Sequence, residues 1–205
     1  VVNHRLYLVL ATCLLSATTG TARAEIRCMP LNSMGIQRCQ AGLPTPLAST
    51  ISAYQQASQW CWAASISMVF RHYGLNVSQP EIVRQAWGDL VNLPGSAREI
   101  AASLNRTWTD DKGDRWRVSS DTFRTEPGIA AQDLAANRPL IIGTMGHAMV
   151  LTALTYDRDF ASNGYVTLAT VRDPWPGNGG RRDLTAQEWY GTMLLMRVTV
   201  EPVSP

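Results

Sequence analysis

Cys61 stands in Gln55-Gln56-Ala57-Ser58-Gln59-Trp60-Cys61-Trp62-Ala63-Ala64, where a Gln-led turn gives way to an Ala-rich helical pattern. A thiol at a helix start meets the positive end of the macrodipole, which favours the thiolate. The thiolate is the nucleophilic form, so the position suits covalent catalysis, although most free cysteines are small core residues. A Gln six residues upstream could point its amide at an oxyanion forming beside the sulfur. Gln55 has that spacing, and Gln56 is the alternative.

A nucleophile needs a base. His147 follows Gly146 and opens the apolar strand pattern Ala148-Met149-Val150-Leu151. A strand end can present an imidazole to a cleft, and the preceding Gly allows another backbone to come close. His4 precedes the N-terminal apolar run and His72 lies on the Cys61 helix, so His147 is the histidine placed for this role. Asp173, in Arg172-Asp173-Pro174-Trp175, follows the next strand and could accept the second imidazole N–H, fixing tautomer and ring orientation. Asp-Pro is also a common turn opener, so the Asp acquires meaning only beside the other two.

The surrounding patterns supply elements to position these groups. Cys61 to Tyr73 reads as a helix stopped by Gly74. Ser78 with Glu81, and Ser96 with Glu99, have the form of capping boxes opening two further helices, the first reaching about Trp87. Residues 105–126 are polar, with a surface loop at 110–114 and a short strand from Arg115 to Val118. Pro127 begins another helix, ending near Asn137. Residues 140–143, 148–154, 165–171 and 193–200 are apolar or alternating runs separated by turn residues, as in an antiparallel sheet. Helices first and strands later give an α+β layout.

The N-terminus reads as an export signal over residues 1–24: His4 and Arg5, the apolar run from Leu6 to Leu15, then Ala22-Arg23-Ala24 with cleavage after Ala24. The apolar run is too short to span a bilayer. Removing residues 1–24 takes away Arg5 and Arg23 and leaves sixteen basic against sixteen acidic residues. The neutral mature chain leaves no basic patch to suggest nucleic acid or anionic membrane as a partner, and no stable membrane insertion is expected after signal removal. Cys28 and Cys39 could close a small loop in an oxidising compartment, leaving Cys61 unpaired; either could instead pair with Cys61 and abolish the nucleophile. Residues 25–50, rich in Pro and Gly, read as an irregular arm before a single domain at 51–205. Zinc would need closely spaced His and Cys ligands, which His72, His147 and Cys61 do not show, and no cofactor is implied.

Taken together, Gln55, Trp60-Cys61-Trp62-Ala63-Ala64, Gly146-His147-Ala148 and Asp173-Pro174 make the chain resemble the papain-like cysteine peptidases. The similarity is to the compact bacterial branch with avirulence-effector and leader-peptidase-like groups, which Gly179-Gly180 and Glu188-Trp189 also fit. The resemblance implies a helical subdomain packed on an antiparallel sheet with a cleft between them. It implies Cys61 as nucleophile, His147 as base and then acid, Asp173 as orienter and Gln55 as oxyanion donor. Papain has Asn where Asp173 stands. Trp60, Trp62, Gly146 and Trp175 are candidates to line the cleft. The expected protein is a secreted or periplasmic monomer acting on a protein or peptide. An amidase or acyltransferase of the same fold, or a non-catalytic binding domain, is the alternative.

Overall fold

A computed structural model describes residues 24–123, 125–159, 164–178 and 180–203. Residues 1–23 of the signal segment and Gly179 therefore lie outside the described residues. The helices are α1 Thr45–Thr50, α2 Cys61–His72, α3 Gln79–Trp87, α4 Ala97–Leu104, α5 Pro127–Ala135 and α6 Ala186–Tyr190. The strands are β1 Arg27–Cys28, β2 Gln37–Gly42, β3 Arg106–Thr109, β4 Arg115–Thr122, β5 Leu140–Thr144, β6 His147–Arg158, β7 Gly164–Arg172, β8 Arg181–Asp183 and β9 Thr192–Pro202.

The strands form one antiparallel sheet in the order β1-β2-β6-β5-β9-β4-β3, with β7 on the free edge of β6 and β8 beyond it. The long β6 organises this sheet. Its first half pairs with β5 and its second half with β2, while β7 runs along its opposite edge. Helix α2 packs against β6 and β5 and against α1, α3 and α4. Every residue from Trp62 to Phe70 is buried, and the small Ala63, Ala64, Ser65 and Ser67 let neighbours approach on all sides. A helix enclosed in this way holds its first residue in a fixed place, and that residue is Cys61.

The helix ends follow the sequence signals closely. Tyr73 caps α2, Gly74 adopts φ 88°, and Gly74 N–H and Leu75 N–H donate to Arg71 O and Phe70 O. This is the paired C-terminal pattern that a left-handed Gly makes possible. Ser78 accepts from Glu81 N–H, and Ser96 with Glu99 completes a reciprocal capping box on α4.

Residues 25–50 correct the expectation of an irregular arm. Strand β2 is an integral strand, pairing from Gln37↔Arg158 to Gly42↔Ala153. Its buried positions are Cys39 and Ala41, too small to give an apolar alternation that stands out. Gly42 is required there, because a Cβ would lie 2.9 Å from Ala153 Cβ. A disulfide joins the cross-strand partners Cys28 and Cys39 and leaves Cys61 free. The polar stretch 105–126 likewise holds a full hairpin, β3–β4, and β8 and α6 were not anticipated.

One buried ion cluster ties the layers together. Asp133 on α5 is fully buried and is held by Arg138 and, through two bonds of 2.7 Å, by Arg197 on β9. Arg197 also reaches Asp121 on β4. Removing one partner of such a cluster leaves uncompensated charge. Asp133→Asn is expected to cost roughly 3 kcal/mol in a urea titration, at the low end for buried pairs because both guanidinium groups keep some water.

Candidate active site

The start of α2 is open. Its cap residue, Trp60, makes no side-chain hydrogen bond to the helix, so no capping side chain offsets the dipole at the first turn. The half-buried Cys61 thiol lies beside His147 and the backbone N–H groups of Ala148 and Trp62. Burial pushes the thiol up, but the imidazole and these N–H groups outweigh it, and the net shift is downward.

His147 is delivered by a two-residue hairpin turn between β5 and β6. Met145 has φ 50° and Gly146 φ 79°, the positive-φ pair of the hairpin turn whose twist matches its strands. A Met in the left-handed region is strained, and such strain gathers at functional sites. The turn aims His147 so that Nε2 donates to Asp173 Oδ1 at 2.7 Å. Nδ1 is then the nitrogen left for the Cys61 sulfur. Burial pulls the imidazole down, but the bonds to Asp173 and Cys61 prevail and raise it to about 9.

Asp173 is 1% exposed. Its Oδ1 accepts from His147 and from Trp175 N–H at 2.8 Å. Its Oδ2 accepts from Asn178 Nδ2 at 2.7 Å and from Arg182 Nε at 2.6 Å. Burial alone would raise this carboxyl; four donors hold it far below the usual carboxylate range. Arg182 in turn gives both terminal nitrogens to Glu188, at 2.6 and 3.0 Å, and one of them to Met149 Sδ at 3.3 Å. Arg182 and Asn178 were not among the sequence candidates. Thr185-Ala186-Gln187-Glu188 did carry a legible signal, a capping box at a helix start, and the structure forms it.

A cavity of about 400 Å³ runs past these groups, lined among others by Cys61, His147, Gly95, Ile100, Gly146 and Leu194. Gly146 lines this cavity. Trp60 and Trp62 do not: both are buried, with indole N–H groups donating to Val91 O and Leu93 O. They anchor the loop that forms the opposite wall, so they support the cleft from behind. Trp175 is half-exposed over a separate shallow depression that it shares with residues 55–58 and Pro176.

Gln55 also departs from expectation. Its Nε2 donates to Ala57 O at 2.9 Å and Ser58 O at 2.8 Å, and its buried Oε1 has no partner. Both amide hydrogens are thus committed to the turn before Cys61. Gln55 braces that turn and, through its backbone N–H on Pro174 O, ties it to the Asp173 loop. Gln56 is exposed, and its N–H donates to Gln79 Oε1.

An enclosed helix carrying a thiol at its start, packed on an antiparallel sheet that carries an imidazole, is the architecture of a papain-like cysteine peptidase. Residues 49–192 match the Peptidase_C39 like family, and the chain belongs to that family of cysteine-type peptidases. Among solved structures, the peptidase domain of Streptococcus ComA, a bi-functional ABC transporter involved in a quorum-sensing pathway, is 14% identical. It aligns over 74% of this chain and 98% of its own, with a TM-score of 0.47. UfSP from C. elegans is 18% identical with a TM-score of 0.42, and covers 93% of this chain and 36% of its own. No curated protein matches.

Two outcomes follow from this geometry. The folded imidazole of His147 titrates near 9 against an ordinary 6.5. Its contribution to stability is therefore complete below about pH 6.5 and is lost as pH rises through about 9. The melting-temperature difference between wild type and His147→Asn is expected to shrink over that interval; a constant difference contradicts the shift. Taking the difference isolates His147 from His72, whose burial lowers its own imidazole. At Gly95 a Cβ would fall 2.5 Å from the Trp62 ring. Gly95→Ala is expected to cost about 1–3 kcal/mol in denaturant titration, as for other overpacked sites.

Proposed function

We propose that this protein is an exported cysteine peptidase that hydrolyses peptide bonds through Cys61, His147 and Asp173. The observation that carries this reading is the placement of His147, with Nε2 held by Asp173 at 2.7 Å and Nδ1 left for the unpaired Cys61 thiol. Export is supported by the charged, apolar and small-residue order of residues 1–24 and by the Cys28–Cys39 disulfide.

In this reaction the proton of Cys61 resides on His147 Nδ1 before substrate arrives. The thiolate attacks the scissile carbonyl carbon, and the π electrons move to oxygen. The resulting oxyanion is met by the Cys61 backbone N–H at the open helix start. Gln55 contributes by shaping the turn that aims this N–H; its own amide would have to leave Ala57 O or Ser58 O to reach the oxyanion directly. Collapse breaks the C–N bond, and His147 gives its proton to the leaving amine. A water then attacks the acyl-thioester as Nδ1 takes its proton, the C–S bond breaks, and thiolate and imidazolium are restored with a free carboxylic acid as product. Asp173 remains ionised throughout and keeps the ring in the tautomer that places the mobile proton on Nδ1.

The purified protein should be treated with iodoacetamide at neutral pH and digested, and the modified residue located by mass spectrometry. In parallel, wild type and Cys61→Ala are assayed on casein and a peptide library. Modification at Cys61 and loss of cleavage to background in Cys61→Ala are expected. An unmodified Cys61, or equal cleavage by the variant, overturns the proposal.

A further inference from the structure

Asp173 carries more partners than orientation of an imidazole needs. His147 and Trp175 N–H already occupy Oδ1, so Arg182 on Oδ2 does something else. Its Nε bond at 2.6 Å, with that from Asn178, turns the carboxylate about its Cβ–Cγ bond and fixes the plane in which Oδ1 meets the imidazole. A guanidinium in this place carries a conflict. It holds the carboxylate by geometry, but its charge shares the carboxylate with His147 and repels the imidazolium that the reaction uses.

Glu188 resolves that conflict. Its two oxygens close a fork on the terminal nitrogens of Arg182 at 2.6 and 3.0 Å, the paired geometry that suits guanidinium and carboxylate. Glu188 is positioned independently of Arg182. It is the third residue of α6 and accepts Thr185 N–H at 2.8 Å within a capping box. Helix α6 is joined to the turn that presents His147, because Thr144 Oγ1 donates to Glu188 O at 2.5 Å. The charges therefore alternate in a row from helix to thiol: Glu188, Arg182, Asp173, His147, Cys61.

We propose that Arg182 and Glu188 are a positioning pair for the reaction, in which Arg182 fixes the Asp173 carboxylate toward His147 and Glu188 offsets the guanidinium charge, so that the full attraction of Asp173 is left for the imidazolium. The other charged groups near His147 are accounted for. Glu99 of α4 lines the cavity opposite and is committed to the Ser96 cap. Arg172 and Arg181, cross-strand partners on β7 and β8, alternate to the sheet face opposite Val171 and Arg182.

The inference rests on His147 acting as the base for Cys61, and the test separates the two. The imidazole of His147 is titrated by NMR in ¹⁵N-histidine-labelled wild type, Arg182→Gln and Glu188→Gln, its signal assigned by loss in His147→Asn, with His72 as internal control. Gln at the third helix position keeps an acceptor for Thr185 N–H, so Glu188→Gln preserves the capping box while removing the charge and one of the two bonds from Arg182. It exposes His147 to an uncompensated guanidinium, and the midpoint is expected to fall by about half to one pH unit. Arg182→Gln removes the cation and keeps Glu188, and the midpoint is expected to rise by about the same amount. His72 stays where it is in both. Midpoints that do not move, or that move in the same direction, overturn the inference; should Arg182→Gln fail to fold, the direction seen in Glu188→Gln decides alone. Iodoacetamide reactivity of Cys61 is measured in the same samples. A Cys61 unreactive even in wild type would refute the peptidase reading, whereas a reactive Cys61 beside unmoved midpoints would refute only this one.

Discussion

The Asp173 carboxylate is a full charge held almost entirely out of water, and the geometry of the site follows from how that charge is stabilised. A buried carboxylate costs several kcal/mol unless its lone pairs are filled. Here four donors from four separate positions fill them. The loop that gathers them is itself closed, with Asp173 N–H on Gly180 O at 2.7 Å and Asn178 N–H on Trp175 O at 3.0 Å. The same loop receives Gln55 N–H through Pro174 O at 2.8 Å. The turn before Cys61 and the loop that holds the His147 imidazole are thus one connected structure.

The complementary constraint is the helix that begins without a cap. Most helix starts are satisfied by a Ser, Thr, Asp or Asn side chain, as Ser78, Ser96 and Thr185 do here. At Trp60 that device is missing, and the His147 imidazole, with the N–H groups of Ala148 and Trp62, lowers the thiol against burial. Strain at Met145 serves the same end, since a tight turn delivers the imidazole across the cleft without a long loop. The stability for these costs comes from the enclosed α2 and from the sheet ordered around β6.

Local signals in the sequence led directly to much of this. Caps and stops at Ser78, Ser96 and Gly74 marked helices because they act within a few residues, and the Gln55–Cys61 spacing with Gly146-His147 marked the site because the residue types are chemically specific. Other features depend on partners distant in the chain. Strand β2 is made a strand by β6, more than a hundred residues later, and its small buried residues give no alternation of their own. Trp60 and Trp62 resemble cleft residues beside a nucleophile, yet carbonyls at positions 91 and 93 claim their indole N–H groups. Gln55 lies in the turn before Cys61, but which acceptors its amide meets is set by the turn it braces. Arg182 lay in an unremarkable Arg-Arg-Asp run, and its meaning appears only when β8 pairs with β7 and its alternation turns one Arg toward Asp173.

The central claim is that Cys61 exists as a thiolate beside an imidazolium before any substrate binds. The most direct measurement is the ultraviolet thiolate absorbance of wild type minus Cys61→Ala, followed as pH is lowered from neutral. The account predicts a thiolate signal already present at neutral pH that is lost only below the range in which an ordinary thiol titrates. A signal that develops only on raising the pH through the ordinary thiol range would contradict it.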